Sequence, residues 1–164
     1  MCFDSSLLIQ DRLESEVKGQ RRFAQQNSIV DCYRNLNKMG MFSVRARDGE
    51  FKGKVVAYAP TIVLANPQLV ISPAGRARCE KSRIRNVHAY VRGVFTGAYS
   101  QPLPVCGEFH GRRITYSPFK HDQFFEVSRD ASGRQIQSSF KPVTSITEQY
   151  AIISGADVWL VDAI

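Results

Sequence analysis

The chain has 164 residues, 43% of them hydrophobic, and a formal net charge of +7; that is one domain's length, with enough apolar material to bury a core. It has no run of about 18 apolar residues, which excludes a helical membrane span, and its start, MCFDSSLLIQDRLESEV, lacks the basic-then-apolar order of a signal peptide. The four cysteines, Cys2, Cys32, Cys79 and Cys106, are widely and unevenly spaced, so they are expected to stay reduced, as in a cytoplasmic protein.

Acidic residues gather near the start (Asp4, Asp11, Glu14, Glu16), and bases dominate from Arg45 to Arg92. Ile9, Leu13 and Val17 recur every four residues with charges between them, which predicts an amphipathic helix capped by Ser5 or Ser6. Gly19 and the polar run 20–27 end it. Ser28 caps a second predicted helix, with Ile29, Tyr33 and Leu36 on one face and Gly40 at its stop. The period then changes to two. Residues 42–46, 54–59, 61–65 and 68–71 read as short strands, bounded by Asp48-Gly49, Pro60 and Asn66-Pro67.

Ser72-Pro73 is a helix-start signal and opens a predicted helix over 72–85, with Ala74, Ala77 and Ile84 facing inward. Residues 87–95 return to a strand, with Val87, Ala89, Val91, Gly93 and Phe95 on one face and His88, Tyr90 and Arg92 on the other. Residues 112–116, 124–128, 150–154 and 158–161 read as further strands, and 97–104 and 131–139 as loops. The expected fold class is α+β: two N-terminal helices, one basic mid-chain helix, and a mostly antiparallel sheet of about six to eight strands that can curl into a small barrel. Residues 1–164 would form a single domain, with 1–40 helical and 41–164 supplying the sheet and its inserted helix.

The most informative stretch is 72–92, SPAGRARCEKSRIRNVHAYVR. It sets Arg76, Arg78, Lys81, Arg83, Arg85 and Arg92 against one acid, Glu80. Such a cluster repels itself, so it is expected to face an anionic partner, and nucleic-acid phosphate is the commonest. Each cation that neutralises a phosphate releases a counterion, and arginine offers a planar fork to phosphate. The same face can instead be a solvated helix surface with an ordinary Arg76–Glu80 pair. It can also dock on an acidic protein surface with Tyr90 or Phe119 as anchor.

In 112–125, RRITYSPFKHDQFF, the bases Arg112, Arg113 and Lys120 are interleaved with Tyr116, Phe119, Phe124 and Phe125. Aromatic faces on a sheet can stack bases while cations hold the backbone. The pattern fits better a hairpin whose aromatics are core. Phe124 and Phe125 point to opposite strand faces, so one enters the core and the other needs a cover, a partner or a ligand.

Three further constellations carry less. Removal of Met1 would leave Cys2 at the N-terminus, where its own amine could serve as base. Proteins of the SRAP (abasic-site cross-linking) fold and class II glutamine amidotransferases also begin Met-Cys, but they continue with glycine where this chain has Phe3. Cys106 and His110 are four residues apart and could be joined by Cys79 and His121, yet no paired metal-ligand motif exists. Asp48-Gly49-Glu50-Phe51-Lys52 holds the residue types of a metal-dependent nuclease, but Asp-Gly between strands is first a turn signal. No phosphate loop, GxSxG or SxxK motif occurs, and no metal or cofactor is expected.

Ala74-Gly75-Arg76-x-Arg78, then Arg85-Asn86-Val87-His88-Ala89-Tyr90-Val91-x-Gly93, then Tyr116-Ser117-Pro118-Phe119 resemble short uncharacterised accessory proteins encoded by tailed bacteriophages. The resemblance covers the central third of the chain and brings no activity or site residues with it. It implies only a small accessory protein acting in a bacterial cytoplasm; a phage setting favours host takeover or counter-defence. The resulting expectation is a non-enzymatic binding protein that engages DNA or RNA through Arg76, Arg78, Lys81, Arg83, Arg85 and Arg92, with Arg112, Arg113, Lys120, Tyr90 and Phe119 contributing if the sheet brings them to the same face. The alternatives are an interaction module inhibiting a host enzyme or defence complex, and a Cys2 nucleophile acting as hydrolase or abasic-site cross-linker.

Overall fold

A computed structural model of the chain describes residues 5–83, 87–102, 112–115, 123–128, 130–132, 134, 136, 141–143, 145–155 and 157–163. Among them the chain is almost entirely β. After a 3-10 turn at Ser5–Leu7 come β1 (Leu8–Ile9), β2 (Arg12–Val17), β3 (Gln20–Gln25), β4 (Ile29–Arg34), β5 (Phe42–Ala46), β6 (Val55–Ala59) and β7 (Thr61–Ile71). The helix α1 (Pro73–Ser82) leads to β8 (Ala89–Tyr99), β9 (Arg112–Thr115), β10 (Phe124–Glu126), β11 (Lys141–Val143), β12 (Tyr150–Ser154) and β13 (Asp157–Val161).

The α+β expectation is therefore overturned: both N-terminal helices are strands. Leu13 and Val17 are buried and four residues apart, a spacing that one strand face satisfies as well as a helix face does. The position between them, Ser15, is polar because its hydroxyl accepts the Tyr58 backbone N–H at 3.2 Å. Lys18 and Gly19 both have positive φ (51° and 75°), the geometry of a tight hairpin turn joining β2 to β3. In the second predicted helix, Ile29 and Leu36 are exposed, while Val30 and Cys32 face the core with strand period. Gly40, expected as a helix stop, serves a turn between β4 and β5 at φ 74°.

The main sheet is antiparallel throughout, in the order β11-β10-β9-β13-β12-β7-β8-β4-β5-β6, with β1 added alongside the end of β8. Among the described residues it is an open path ending at β6 and β11, not a closed barrel. The β2–β3 hairpin forms a second layer over β6. Its Leu13 and Ala24 join Val30, Val44, Val91, Phe95, Ile114 and Leu160 in one buried cluster. Phe23, under the Arg12 guanidinium at 3.6 Å, meets Phe51 edge-on at 5.4 Å between ring centres. A smaller cluster of Val63, Tyr99, Ile152 and Val161 lies apart from the main core.

The two longest strands hold the sheet together. Asn66-Pro67 predicts a break between two strands here. β7 is instead one strand of eleven residues, and that dipeptide is a bulge against β8, with Asn66 at φ 50°. β8 runs past the expected end at Phe95 to Tyr99, with Ala89, Val91, Gly93 and Phe95 buried as the alternation predicted. Phe124 enters the core, and Phe125 is half-buried on the opposite strand face.

Candidate nucleic-acid interface

α1 forms where the start signal placed it. Ser72 Oγ accepts the Gly75 N–H at 3.1 Å, Pro73 opens the first turn, and Arg83 ends the helix in the left-handed conformation at φ 55°. Its packing differs from the expectation. Ala74 and Ala77 are exposed, and Gly75 is the buried residue of the helix. A Cβ on Gly75 would come within 3.3 Å of the His88 Cβ and the Val87 carbonyl, so the missing side chain allows the helix to lie against the lead into β8. Arg78, Lys81 and Arg83 are exposed, and Arg76 is half-buried with its Nε 3.0 Å from Glu80. Ile84, Arg85, Phe119, Lys120 and Cys2 lie outside the described residues, as do Cys106, His110 and His121.

Arg92 belongs to a different group. The register sets Asp31 of β4 between Arg92 of β8 and Arg45 of β5. The Asp31 side chain is fully buried. Its Oδ1 accepts Arg92 Nε at 2.9 Å; its Oδ2 faces Arg45 at 3.4 Å and Arg47 at 3.7 Å. The Asp31 hydrogen bond raises the Arg92 pKa further, securing its charge. Arg45 lies over the rings of Tyr33 and Tyr90, at 5.6 and 5.1 Å, and Arg92 is 5.7 Å from the Tyr90 ring. Tyr90 is thus buried beneath guanidinium groups. Burial pushes the Tyr33 phenol up, against a lowering by Arg45, so it stays neutral near pH 7. On the core side, burial and then the Asp31 charge push the Cys32 thiol up, which removes its nucleophilic form.

Arg112 and Arg113 stand on β9, four strand spacings from β8, or about 19 Å across the sheet. Both are held by carboxylates. Arg112 makes a two-pronged bond to Glu148 at 2.7 and 2.8 Å and reaches the Ser145 carbonyl at 3.0 Å. Arg113 pairs with Asp157 and lies 4.5 Å from the Trp159 ring centre. The structure thus places Arg76, Arg78, Lys81 and Arg83 together on α1, and sets Arg92, Arg112 and Arg113 into ion pairs on the sheet.

The Arg112 hydrogen bond holds the Glu148 carboxyl below its ordinary value. A carboxylate lowered on folding stabilises the fold above its unfolded pKa, and that contribution disappears as pH falls through the folded value. Glu148→Gln should cost about 1.5 kcal/mol at neutral pH. In urea melts the gap from wild type should close as the pH drops below the ordinary glutamate value of 4.5. A gap that persists in acid would show that the pair does not carry the effect.

The sequence pattern does not single out Asp31, Arg45, Arg47 and Tyr33: it places Asp31 and Tyr33 on a helix, and without Asp31 nothing connects Arg45 and Arg47 to a site. The available signal is the alternation Val30-Asp31-Cys32-Tyr33, apolar residues on one strand face and polar ones on the other. Asp48-Gly49 is the turn it resembled, with Gly49 at φ 75°. Among the described residues, no three His, Cys, Asp or Glu side chains are placed to hold a metal ion, and no helix is long and apolar enough to cross a membrane.

An antiparallel β protein with a surface helix of cations is a class wide enough to hold many binding proteins, and comparison with known proteins narrows it. Residues 24–144, from β3 through β11, match the profile of the Mycobacterium phage L5 gene 82 protein family, and the chain belongs to that family of phage accessory proteins. The gene 82 protein of Mycobacterium phage L5 is 31% identical over 107 residues, covering 62% of this chain and 80% of that protein. The match extends beyond the central third carried by the sequence motifs and includes β4, β5, α1 and β8. No solved structure matches the chain.

Proposed function

We propose that this phage protein binds nucleic acid, without enzymatic chemistry, through the exposed cations of α1, and that it does so in the host cytoplasm during host takeover or counter-defence. The observation carrying this reading is that α1 buries only Gly75 while exposing Arg78, Lys81 and Arg83. A ten-residue helix with its alanines in water adds little to the core. Its four cations, Arg83 at the cap included, repel one another, and Glu80 offsets one of them. A helix that contributes so little to stability is explained by what it presents. Phosphate recognition needs cations whose N–H donors reach solvent, and three exposed ones are available here.

Fluorescence anisotropy with a labelled oligonucleotide over a salt series tests the reading. Three phosphate contacts give a log–log salt slope of about −2 to −3. Arg78→Ala/Lys81→Ala/Arg83→Ala should weaken binding about tenfold at low salt and flatten the slope, with the melting temperature unchanged. Absence of binding by the wild type at low salt would overturn the reading. So would a host protein recovered stoichiometrically on the wild type after nuclease treatment and lost from the triple variant, because the cations would then serve an acidic protein surface.

A further inference from the structure

The face of the sheet carrying Asp31 holds more positive charge than its own ion pairs consume. Three arginines share one buried carboxylate, which leaves two net charges. Arg92 makes the one close bond. Arg45 and Arg47 stand at 3.4 and 3.7 Å, with side chains 29% and 45% exposed, so their remaining N–H donors reach solvent. Asp31 therefore acts as an anchor that fixes guanidinium groups in place while leaving donors outward.

Aromatic rings adjoin this cluster. The register continues from Tyr33 of β4 through Ser43 of β5 to Tyr58 of β6. Tyr33 and Tyr58 are half-buried and two strand spacings apart, about 10 Å. Lys38 lies over the Tyr58 ring at 4.7 Å, as Arg45 lies over Tyr33 at 5.6 Å. α1 packs at the edge of the same region, since Gly75 abuts His88, two residues before Tyr90.

We propose that this face is a platform for single-stranded nucleic acid. Arg45 and Arg47 hold phosphodiester oxygens, and the rings of Tyr33 and Tyr58 take unpaired bases, displacing the flexible Lys38 from Tyr58. The inference rests on the nucleic-acid reading of α1 and adds to it a strand type and a second contact area. A single strand is required because stacking needs exposed base faces, which a duplex hides within its own stack. A sheet that sets the Tyr33 and Tyr58 rings beside the Asp31-anchored guanidinium groups supplies both halves of that recognition, sequence-tolerant stacking and charge along the backbone.

The test compares a labelled single strand with the duplex of the same sequence, by anisotropy, for wild type, Arg47→Ala, Tyr58→Ala, Tyr58→Phe and the α1 triple variant, each with a melting curve. Arg47 and Tyr58 are chosen over Arg45 and Tyr33 because Arg47 is the least engaged with Asp31 and Tyr58 lies on the terminal strand β6. Wild type should favour the single strand by about tenfold or more. Arg47→Ala and Tyr58→Ala should each weaken single-strand binding about five- to tenfold and leave duplex binding unchanged; Arg47→Ala should keep the melting temperature, and Tyr58→Ala, which truncates a half-buried ring, should lower it while the protein stays folded at the assay temperature. Tyr58→Phe should restore binding, since the ring and not the hydroxyl is used. Equal affinity of wild type for both strand forms, or single-strand binding untouched by Arg47→Ala and Tyr58→Ala, overturns the platform. If those two variants fail to change binding while the α1 variant loses it, the platform falls and the helix reading stands. The opposite pattern removes α1 and supports the platform.

Discussion

Asp31→Ala should lower the stability of the folded chain by about 3–5 kcal/mol, measured as a shift of the urea midpoint at constant slope. The carboxylate is fully buried in the middle of a row formed by β8, β4 and β5, and its two oxygens face three guanidinium groups. Its removal leaves Arg92, Arg45 and Arg47 side by side with no charge between them. Arg92 also loses a 2.9 Å hydrogen bond while three-quarters covered, so its Nε is left partly desolvated. The cost therefore exceeds that of a surface ion pair, which is about 0–1 kcal/mol. Asp31→Asn should fall in between, because its oxygen still accepts from Arg92 but carries no charge. Replacing Arg92 by Met in the Asp31→Ala background should recover part of the loss, since it relieves the repulsion. A destabilisation below about 1 kcal/mol for Asp31→Ala would mean that the arginines are held by their stacking on Tyr33 and Tyr90 instead.

The central β-strands and the basic helix were legible in the sequence because each rested on one unambiguous signal. Residues 42–46 and 150–154 show β-branched or apolar alternation between turn residues, and the strands occupy those bounds. Ser72-Pro73 marks a helix start by chemistry that no other element uses so well, and α1 starts there. The first forty residues were misread for an equally definite reason. Leu13 and Val17 are compatible with both periods, and the residue that would decide between them, Ser15, is polar on a buried face because it bonds to β6. Arg22 misled in the same way: it is buried on β3 with its guanidinium on the Val55 carbonyl at 2.8 Å, where a strand pattern expects an apolar side chain. The inward face of α1 could not be seen either, since the helix approaches β8 through a glycine and not through its alanines. The arginine cluster on Asp31 depends on pairing β4 with β5 and β8, contacts separated by up to 61 residues, which no local pattern encodes.

Gly93→Val should destabilise the protein by about 3 kcal/mol, and Gly93→Ala by about 1–2 kcal/mol, through forced displacement of backbone. Gly93 lies in the central strand β8, paired with Val30 of β4 on one side and facing the Asn66-Pro67 bulge of β7 on the other. That bulge turns the Ala65 carbonyl toward it: a Cβ built on Gly93 would sit 2.9 Å from that oxygen and 2.9 Å from the Leu64 Cβ. Neither atom belongs to the free end of a side chain, so the strand itself must move, and Leu64 is fully buried in the main core. Gly97 supplies the internal control. Its Cβ would meet Leu8 Cδ1 at 2.8 Å and the Ile9 carbonyl at 3.1 Å, but these belong to the two-residue strand β1, at the margin of the sheet. A leucine terminus can rotate and a short edge strand can shift, so Gly97→Ala should cost less than Gly93→Ala. Thermal melts of the two alanine variants, side by side, decide the matter. A larger loss at Gly97 would show that β1 is held more rigidly than β7 at its bulge, and that the close approach at Gly93 is relieved by movement of Asn66 and Pro67.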